Sequence, residues 1–274
     1  MKRTVSGLLA IALYVASGGI SAASPYSDAV LGDNPILYYQ FDELSGTTAV
    51  DSSPTGADGI YIGGVQLQQA SGKAGLGSAV SFDGASGWVD VPALGSFPQV
   101  TIETWLNLEG EPAGGCCTSI YSTDTFGTGN IHFNIKSGRD IEHAVAGGGP
   151  NNINTPGGTI QSNIWYHVVA TYDSAAGGET HIYIDGVETT NLPHGGAPLA
   201  ALVDAQIAGW NGARYFDGRM DDFAIYDSVL DVDQVQAHFE AASNVIPEPS
   251  SIVLAALGLL GLIGHGRRRR YRTQ

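Results

Sequence analysis

Residues Thr180–Thr190 read Thr-His-Ile-Tyr-Ile-Asp-Gly-Val-Glu-Thr-Thr. Polar and apolar residues alternate as far as Ile184, which is the pattern of a strand that buries one face. Asp185 and Gly186 then supply the positive φ angles that a two-residue hairpin turn requires. The stretch predicts an antiparallel pair of strands, and similar short alternating runs recur along the chain.

Turn-forming Gly, Ser, Thr and Asn separate short apolar runs throughout residues 24–242, with little sustained helical periodicity. This pattern predicts an all-β fold, a two-sheet antiparallel jelly-roll sandwich. One short C-terminal helix is expected, since Asp231 can cap its first turn and Gln234 completes a capping box. No repeat or break in composition divides this region, so a single domain is expected. The predicted strands are Ile36–Phe41, Ala79–Phe82, Trp88–Val91, Val100–Leu108, Ile131–Ile135, Ile141–Val145, Trp165–Tyr172, His181–Ile184, Val187–Thr190, Gln206–Ala208 and Phe223–Tyr226.

Both ends of the chain differ from this central region. Lys2 and Arg3 precede an apolar run, and residues 21–23 are small, so residues 1–23 are predicted to be an N-terminal signal peptide. Residues 243–274 contain a proline-rich motif at 246–250, an apolar segment at 251–264 and a basic tail at 265–274. Because arginines stay on the cytoplasmic side, this order predicts a C-terminal transmembrane segment.

The tail as a whole resembles the PEP-CTERM sorting signal of Gram-negative bacteria that make exopolysaccharide. The resemblance implies processing near Pro247, Glu248 and Pro249 by an exosortase-type enzyme. It also implies a chain that is exported, anchored transiently in the inner membrane, and then moved to the cell envelope or extracellular matrix. The alternative is an ordinary C-terminal anchor helix.

The charge of the central region argues against nucleic acid as a partner. Seven of the twelve Lys and Arg residues lie in the two ends, which leaves five against 26 acidic residues between Asp28 and Glu240. Such an acidic surface repels phosphate backbones. It favours solubility and divalent cations, although most of these carboxylates are equally consistent with a solvated acidic surface.

Four segments resemble the LamG-like jelly rolls of the concanavalin A-like lectin/glucanase superfamily. The first begins Asn34-Pro-Ile-Leu-Tyr-Tyr-Gln-Phe-Asp42 and runs to Asp51, and the others are residues 79–91, 165–186 and 216–226. The resemblance extends over about Tyr26 to Ala242. The resemblance implies a jelly roll, but the superfamily contains lectins, adhesion modules, glycosidases and structural domains, so it does not by itself assign a function.

The tryptophans are the candidate sugar-binding residues, because a flat indole can stack on the apolar face of a pyranose. Trp88, Trp105 and Trp165 lie in alternating strands, where core packing is expected. Trp210 lies in the loop-like sequence Gly-Trp-Asn-Gly, which Arg214 and Tyr215 follow. The predicted ligand-binding residues are therefore Trp210, Asn211, Arg214 and Tyr215.

Catalysis is not expected. Glu103 and Glu109 share a face of an unbulged strand but stand about 20 Å apart, which is too far for a glycosidase pair. The sequence lacks the Glu-x-Asp-x-x-Glu strand of the superfamily's glucanases, and it contains no Gly-x-Ser-x-Gly or His-Glu-x-x-His motif. His167 and His181 fall in predicted strands and are expected to be packed or surface residues.

Calcium is the expected cofactor. Residues 220–226 resemble the last long strand of superfamily members in which the leading aspartate binds a structural calcium, together with backbone oxygens from the end of the first strand. The corresponding positions are Asp221, for its side chain, and the Asp42–Gly46 turn. The alternative is that Asp221 and Asp222 only cap a strand and bond nearby amides.

Cys116 and Cys117 are the only cysteines of the chain, and they are adjacent. The predicted compartment is oxidising, but neighbouring Cα atoms lie about 3.8 Å apart, closer than in most disulfides. The glycines that precede them describe a loop that would tolerate a vicinal disulfide. Free thiols and an intermolecular bridge are the alternatives.

Two functions remain open. The first is an exported, non-catalytic module that binds envelope or matrix glycans through loops at one edge of the sandwich. The second is a structural or adhesion protein of the cell surface, whose partner is a protein or the cell's own polymer layer. An exposed cluster around Trp210 and Tyr215 favours the first, and a flat polar surface favours the second.

Overall fold

A computed structural model describes residues 24–112, 116–123, 125–147, 152–175, 178–193 and 198–243. The predicted signal peptide and the predicted tail from residue 244 onward, including its transmembrane segment, lie outside these described residues. In the part that is described, no helix is long and apolar enough to span a membrane.

The described chain contains two helices and eighteen strands. The helices are α1 (Pro25–Gly32) and α2 (Val232–Ala241). The strands are β1 (Leu37–Tyr39), β2 (Thr48–Ala49), β3 (Gly59–Ile62), β4 (Gln66–Ala70), β5 (Ser78–Asp83), β6 (Trp88–Val91), β7 (Gly95–Phe97), β8 (Gln99–Leu108), β9 (Cys117–Thr123), β10 (Ile131–Lys136), β11 (Ile141–Val145), β12 (Asn152–Asn154), β13 (Trp165–Asp173), β14 (Glu179–Ile184), β15 (Val187–Pro193), β16 (Ala200–Leu202), β17 (Ala205–Ile207) and β18 (Asp217–Tyr226).

Two antiparallel sheets form a sandwich. The first sheet has the order β15-β14-β13-β8-β18-β5-β4, and β1 also pairs with β18. The second sheet has the order β12-β11-β10-β9-β17-β6-β3-β2, and β16 and β7 form a small separate pair. The prediction of an all-β sandwich is therefore confirmed, and all eleven predicted strands are present.

The main core lies between the two sheets, and alternation along the strands fills it. On β10, Ile131, Phe133 and Ile135 are buried in this core. Residues between them have the opposite orientation, because successive side chains of a strand point to opposite faces. Tyr121 of the second sheet stacks on Phe223 of the first with 5.8 Å between ring centres, so the two sheets meet through aromatic contacts.

The hairpin and the C-terminal helix form where the sequence predicts them. Ile184 pairs with Val187 across the turn, where Asp185 has φ 52° and Gly186 has φ 77°. The capping box at the start of α2 is complete, since the Asp231 side chain accepts from the Gln234 amide at 2.9 Å and the Gln234 side chain accepts from the Asp231 amide at 3.0 Å. Both predictions are confirmed.

The expectation of a single helix was wrong. α1 begins directly after Ser24, whose hydroxyl accepts the Ser27 amide at 3.0 Å. It buries Tyr26 and Val30 against the outer face of the first sheet. Seven short strands were also missed: β2, β3, β4, β7, β9, β12 and β16.

A second apolar cluster lies on the outer face of the first sheet, beneath both helices. Trp105 is its largest side chain and is fully buried, and Phe239 of α2 stacks on it with 5.8 Å between ring centres. Trp88 and Trp165, which were also expected in the core, are instead partly exposed. The prediction of core packing is therefore correct only for Trp105. Its burial depends on the two helices that cover it.

Candidate functional site

The β17–β18 loop carries the four residues that the sequence predicted to bind ligand. Its centre is a tight turn, in which the Trp210 amide donates to the Ala213 carbonyl at 2.9 Å and the Ala213 amide donates back at 2.8 Å. Asn211 and Gly212 adopt φ 49° and 70°, which is the conformation that Asn-Gly favours in a type I′ turn. The turn fixes the direction in which Trp210 leaves the backbone.

Trp210 belongs to an aromatic cluster with Phe126, His132 and Arg214. The Arg214 guanidinium lies over the Trp210 ring, 4.3 Å from its centre, and its Nη1 donates to His132 Nδ1 at 3.3 Å. The His132 ring lies 4.3 Å from Phe126 and 5.1 Å from Trp210, measured between ring centres. Trp210 Nε1 donates to the Thr123 carbonyl at 3.0 Å. The loop is thereby fixed to β9 and β10.

The electrostatics of the aromatic cluster follow from the burial of His132. Burial and the charge of Arg214 lower the pKa of His132 to about 4. At neutral pH the imidazole is therefore uncharged, so its Nδ1 can accept a hydrogen bond from Arg214. Phe126 is 41% exposed, which makes it the ring of this cluster most open to a ligand.

The other two predicted residues lie beside the cluster. The Tyr215 ring faces Trp88 at 6.0 Å, and the Asn211 amide donates to Gln206 Oε1 at 3.0 Å. The structure thus brings Trp210 and Arg214 into direct contact and places Tyr215 and Asn211 over β6 and β17. No local pattern in the sequence indicates Phe126 or His132 as site residues, because they come from a different loop and strand.

A continuous row of side chains crosses the second sheet beneath this loop. Strand register pairs His132 with Ser122, Ser122 with Gln206, Gln206 with Asp90, and Asp90 with Ile60. Paired residues share a face of the sheet, so all five lie on the face opposite the core. This outer face is polar and carries the aromatic cluster.

A cleft of about 340 Å³ opens along the same row. Trp88 borders it, since its Nε1 donates to Asp90 Oδ1 at 2.6 Å. The residues that line the cleft are Asp58, Ile60, Asp90, Val91, Pro92, Asp204, Ala205 and Gln206. Its carboxylates and amide are acceptors and donors of the kind that sugar hydroxyls bind.

The far end of the outer face holds a buried polar network around Glu142. Its carboxylate accepts from Asn134 at 2.9 Å, from Lys136 at 2.9 Å and from Asn152 at 2.7 Å. The Glu142 charge is therefore compensated although the side chain is buried. Sequence alternation places these residues on one face but does not indicate that the face is sheltered from water.

Cys116 and Cys117 lie at this same end, where Cys117 pairs in register with Lys136. The structure joins the two cysteines in a vicinal disulfide with their Cα atoms 3.8 Å apart. Because β9 begins at Cys117, the bridge lies at the start of that strand.

We expect the purified protein to carry this intramolecular bridge. Its intact mass should rise by about two hydrogens on reduction, because each sulfur gains one. Mass spectrometry before and after reduction measures this difference. An unchanged mass would indicate free thiols, and a doubled mass without reductant would indicate an intermolecular bridge.

Of the two candidate metal-ligating residues, Asp221 lies at a β-bulge in β18 and Asp42 lies in the segment that follows β1. Asp221 and Asp222 are buried, and the register with β8 shifts between Asp221 and Ala224. Tyr38 donates to Asp222. The Ser71 hydroxyl and the Asp222 amide lie close enough to the Asp221 carboxylate to favour its charged form, but neither makes a hydrogen bond of ordinary geometry with it. Asp42 accepts from the Ser78 amide at 2.6 Å.

The electrostatics of this site disfavour the ionised form of both aspartates. Burial raises the pKa of Asp221 well above its usual value, and the charges of Asp222 and Asp42 raise it further. Burial and the charge of Asp42 also raise the pKa of Asp222. Among the described residues no group of three or more His, Cys, Asp and Glu side chains is arranged to hold a metal ion. A cation here would need oxygens from the backbone as well.

The fold and two regions of the sequence match known families. Residues 83–236 match the Laminin_G_3 model of the concanavalin A-like lectin/glucanases superfamily. The chain belongs to this superfamily. Residues 245–270 match the PEP-CTERM protein-sorting motif. Both resemblances drawn from the sequence are confirmed, and the second match implies export and membrane-associated sorting in a Gram-negative bacterium. The motif residues Pro247, Glu248 and Pro249 lie outside the described residues.

Solved structures with this superfamily fold include two that contain a sugar. The ligand-binding domain of botulinum neurotoxin serotype D, in complex with N-acetylneuraminic acid, aligns with a TM-score of 0.60 and 16% identity over 77% of this chain and 52% of that one. Domain 4 of AbnA, an extracellular GH43 arabinanase of Geobacillus stearothermophilus, in complex with arabinotriose, aligns with a TM-score of 0.55 and 19% identity over 75% of this chain and 98% of that one. The chain spans about half the length of the neurotoxin domains it resembles. No curated protein matches it.

Proposed function

We propose that this superfamily member is an exported, non-catalytic module that binds envelope or matrix glycans. The observation that carries the proposal is the outer face of the second sheet, where the aromatic cluster lies beside a polar row and a cleft. Protein–sugar contacts combine stacking on aromatic rings with hydrogen bonds from amides and carboxylates. Phe126 and Trp210 supply the rings, and Asn211, Gln206 and Asp90 supply the polar groups.

The positions of the glutamates support binding rather than hydrolysis. Glu103 is fully buried beneath the helices, and Glu109 pairs with Arg219 at 2.6 Å on the surface. Neither belongs to a pair of carboxylates that faces a common substrate site. Of the two sugar-bound structural neighbours, the neurotoxin chain is described as a ligand-binding domain, and the other is domain 4 of an arabinanase.

We propose further that an exosortase-type enzyme processes the exported chain at Pro247, Glu248 and Pro249. Before processing, residues 251–264 would hold the chain in the inner membrane. The PEP-CTERM match supports this route. The module would then remain at the envelope or in the matrix, where clustering on a surface strengthens weak single-site binding.

A structural or adhesion role with a protein partner is the second candidate function. The observation that favours it is the position of Arg214, which covers one side of the Trp210 ring. A guanidinium on an indole is a common arrangement in protein–protein interfaces, where Arg and Trp are enriched. The two functions differ in whether isolated sugars bind.

A glycan-array screen of the purified chain, with calcium and again with a chelator, distinguishes them. Binding to a defined sugar class is expected. If no glycan binds with calcium or with the chelator, the glycan proposal is overturned and the protein-partner role remains.

Calcium is proposed as a structural cofactor at Asp221 and Asp42. The Asp221 carboxylate, which no hydrogen bond of ordinary geometry reaches from the described residues, fits a cation, because a buried carboxylate is costly unless it is paired. Calcium accepts six to eight oxygens and tolerates backbone carbonyls, which the Asp42–Gly46 turn would contribute. Bound calcium would neutralise the charge at the β18 bulge and fix the first strand to the last.

We expect calcium to raise the melting temperature. At about 100 times its dissociation constant a ligand stabilises the folded state by about 2.7 kcal/mol, or about 5 to 10 °C for a domain of this size. Because the pKa of Asp221 is raised in the folded state, its stability contribution without calcium falls as pH rises above about 3.8, so the calcium effect should be larger at neutral than at acidic pH. Thermal melts with calcium and with a chelator measure both.

Two variants make this test specific. Asp221→Asn should abolish the calcium response and stabilise the calcium-free protein, since a neutral amide costs less to bury than an unpaired carboxylate. Asp204→Asn, in the acidic cleft of the second sheet, is the matched control and should keep the full response. An equal response in all three proteins would contradict the proposed site.

A further inference from the structure

Helices α1 and α2 bring together the two regions where the folded domain joins its targeting segments. α1 begins directly after Ser24, which follows the predicted signal peptide, and α2 ends four residues before the PEP-CTERM match begins at residue 245. The two helices contact each other on the outer face of the first sheet. Whatever holds α2 in place therefore also fixes the junction to the sorting segment.

His238 of α2 is the side chain that joins these parts. Its Nδ1 lies 3.0 and 3.1 Å from the two Glu103 carboxylate oxygens, and its Nε2 lies 3.1 Å from Asp33 Oδ2 at the end of α1. Ionised carboxylates only accept hydrogen bonds, and a neutral imidazole has one N–H. Both bonds can therefore form together only when His238 carries a proton on each nitrogen.

The surroundings of His238 favour that charged form. Burial alone would lower the pKa of His238, but the carboxylates of Glu103 and Asp33 outweigh it and raise the pKa above its usual value. Further donors to Glu103 compensate the rest of its charge. The titratable and charged groups around this site are Tyr26 and Asp33 from the α1 region, Tyr38 from β1, Glu103 from β8, His167 from β13, Asp222 and Tyr226 from β18, and Lys73 from the β4–β5 loop.

We propose that protonated His238 is a clamp that holds α2, and with it the junction to the sorting segment, against α1 and the first sheet. Loss of its proton removes one of the two bonds and leaves a nitrogen lone pair facing a carboxylate. Because the pKa of His238 is raised in the folded state, its protonation stabilises the docked helix fully below about pH 6.5. This contribution is lost as pH rises through the pKa of His238 in the folded protein. α2 should therefore loosen at alkaline pH before the sandwich does.

The consequence for processing rests on the proposed sorting by an exosortase-type enzyme, whereas the clamp itself does not. A helix that loosens on deprotonation would expose a longer stretch before the motif at 246–250. A measurement on α2 alone keeps the two claims separate, because the helix can respond to pH whether or not any enzyme acts on the tail.

Hydrogen exchange of the full chain in detergent, followed by mass spectrometry, tests the clamp. After correction for the pH dependence of intrinsic exchange, protection of residues 230–243 should fall by about tenfold or more between about pH 5.5 and pH 8.5, while protection of β8 and β13 stays constant. His238→Gln should remove this dependence, because glutamine does not titrate in this range. Asp33→Asn should reduce it while leaving Glu103 paired.

His181→Gln is the matched control, since His181 also contacts two carboxylates, Glu188 at 2.7 Å and Glu179 at 3.4 Å, but lies on the surface of β14. It should behave like the parent protein. The proposal would be overturned if the protection of α2 in the parent protein did not change with pH. It would also be overturned if protection changed equally in the parent and in His238→Gln. If His238→Gln fails to fold, an unchanged dependence in Asp33→Asn would overturn it instead.

Discussion

Replacing Glu103 with alanine is expected to lower the free energy of unfolding by about 3 to 5 kcal/mol. The carboxylate is fully buried, and four side chains donate hydrogen bonds to it. These donors are Tyr26 at 2.8 Å, His167 at 2.7 Å, Tyr226 at 2.9 Å and His238 at 3.0 Å. Alanine would leave all four donors unpaired in the interior and open a cavity between the sheet and both helices.

The pH dependence of this contribution follows from its electrostatics. Burial alone would raise the pKa of Glu103, but the charge of His238 and the hydrogen bonds from both histidines hold it well below the usual value. Stability from Glu103 is therefore present above about pH 4.5 and is lost as pH falls through the folded-state pKa. Together with His238, this places the strongest docking of the helices in mildly acidic solution.

Urea unfolding followed by tryptophan fluorescence measures the effect. Glu109→Ala is the control, because Glu109 directly follows the same strand but forms a surface ion pair with Arg219, which is worth at most about 1 kcal/mol. Glu103→Gln keeps the side-chain volume but adds an amide donor at a position surrounded by other donors. We therefore expect an intermediate loss in the free energy of unfolding. If Glu103→Ala unfolds at the same urea concentration as Glu109→Ala, the buried network does not stabilise the fold.

The sequence predicts those parts of this fold that depend on local pattern. The Asp185-Gly186 hairpin and the alternating strands β10 and β11 were all identifiable, because alternation and turn chemistry act between near neighbours. β9 was missed, since its run Cys-Thr-Ser-Ile-Tyr-Ser-Thr is polar and becomes buried only between β10 and β17. The eight residues of α1 are too few to show a helical period.

Glu103 illustrates why the network beneath the helices could not be predicted. Alternation places it on the same strand face as Thr101 and Trp105. Alternation does not indicate whether that face is exposed to solvent or covered by other elements. Its burial depends on Tyr26, 77 positions earlier, and on His238, 135 positions later. Contacts of such separation leave no local trace in one sequence.

The candidate binding site was predicted only in part, for the same reason. Trp210 was identifiable because Gly and Asn around it indicate an exposed turn. That Arg214 would lie across its ring, and that His132 would hold Arg214 there, depends on the packing of β10 beside the loop. The sequence located the loop, whereas the sheet beneath it supplies the polar row.

Trp210→Ala is expected to reduce binding on the glycan array by roughly tenfold to a hundredfold, since a tryptophan at the centre of a binding site contributes about 1.4 to 3 kcal/mol. The exchange removes a stacking ring and releases Arg214 from its position over the indole. It also removes the bond from Nε1 to the Thr123 carbonyl. Trp210→Phe keeps an aromatic ring and should retain most of the binding.

Trp165→Ala is the matched control for this experiment, because Trp165 is also partly exposed beneath an arginine, with Arg219 5.5 Å from its ring centre, but belongs to the first sheet. Both variants remove a partly exposed indole that an arginine covers, so a loss of binding caused by instability alone should appear in both. Binding should fall in Trp210→Ala and persist in Trp165→Ala. If the two variants bind equally, or if only Trp165→Ala loses binding, then the outer face of the second sheet is not the sugar-binding surface.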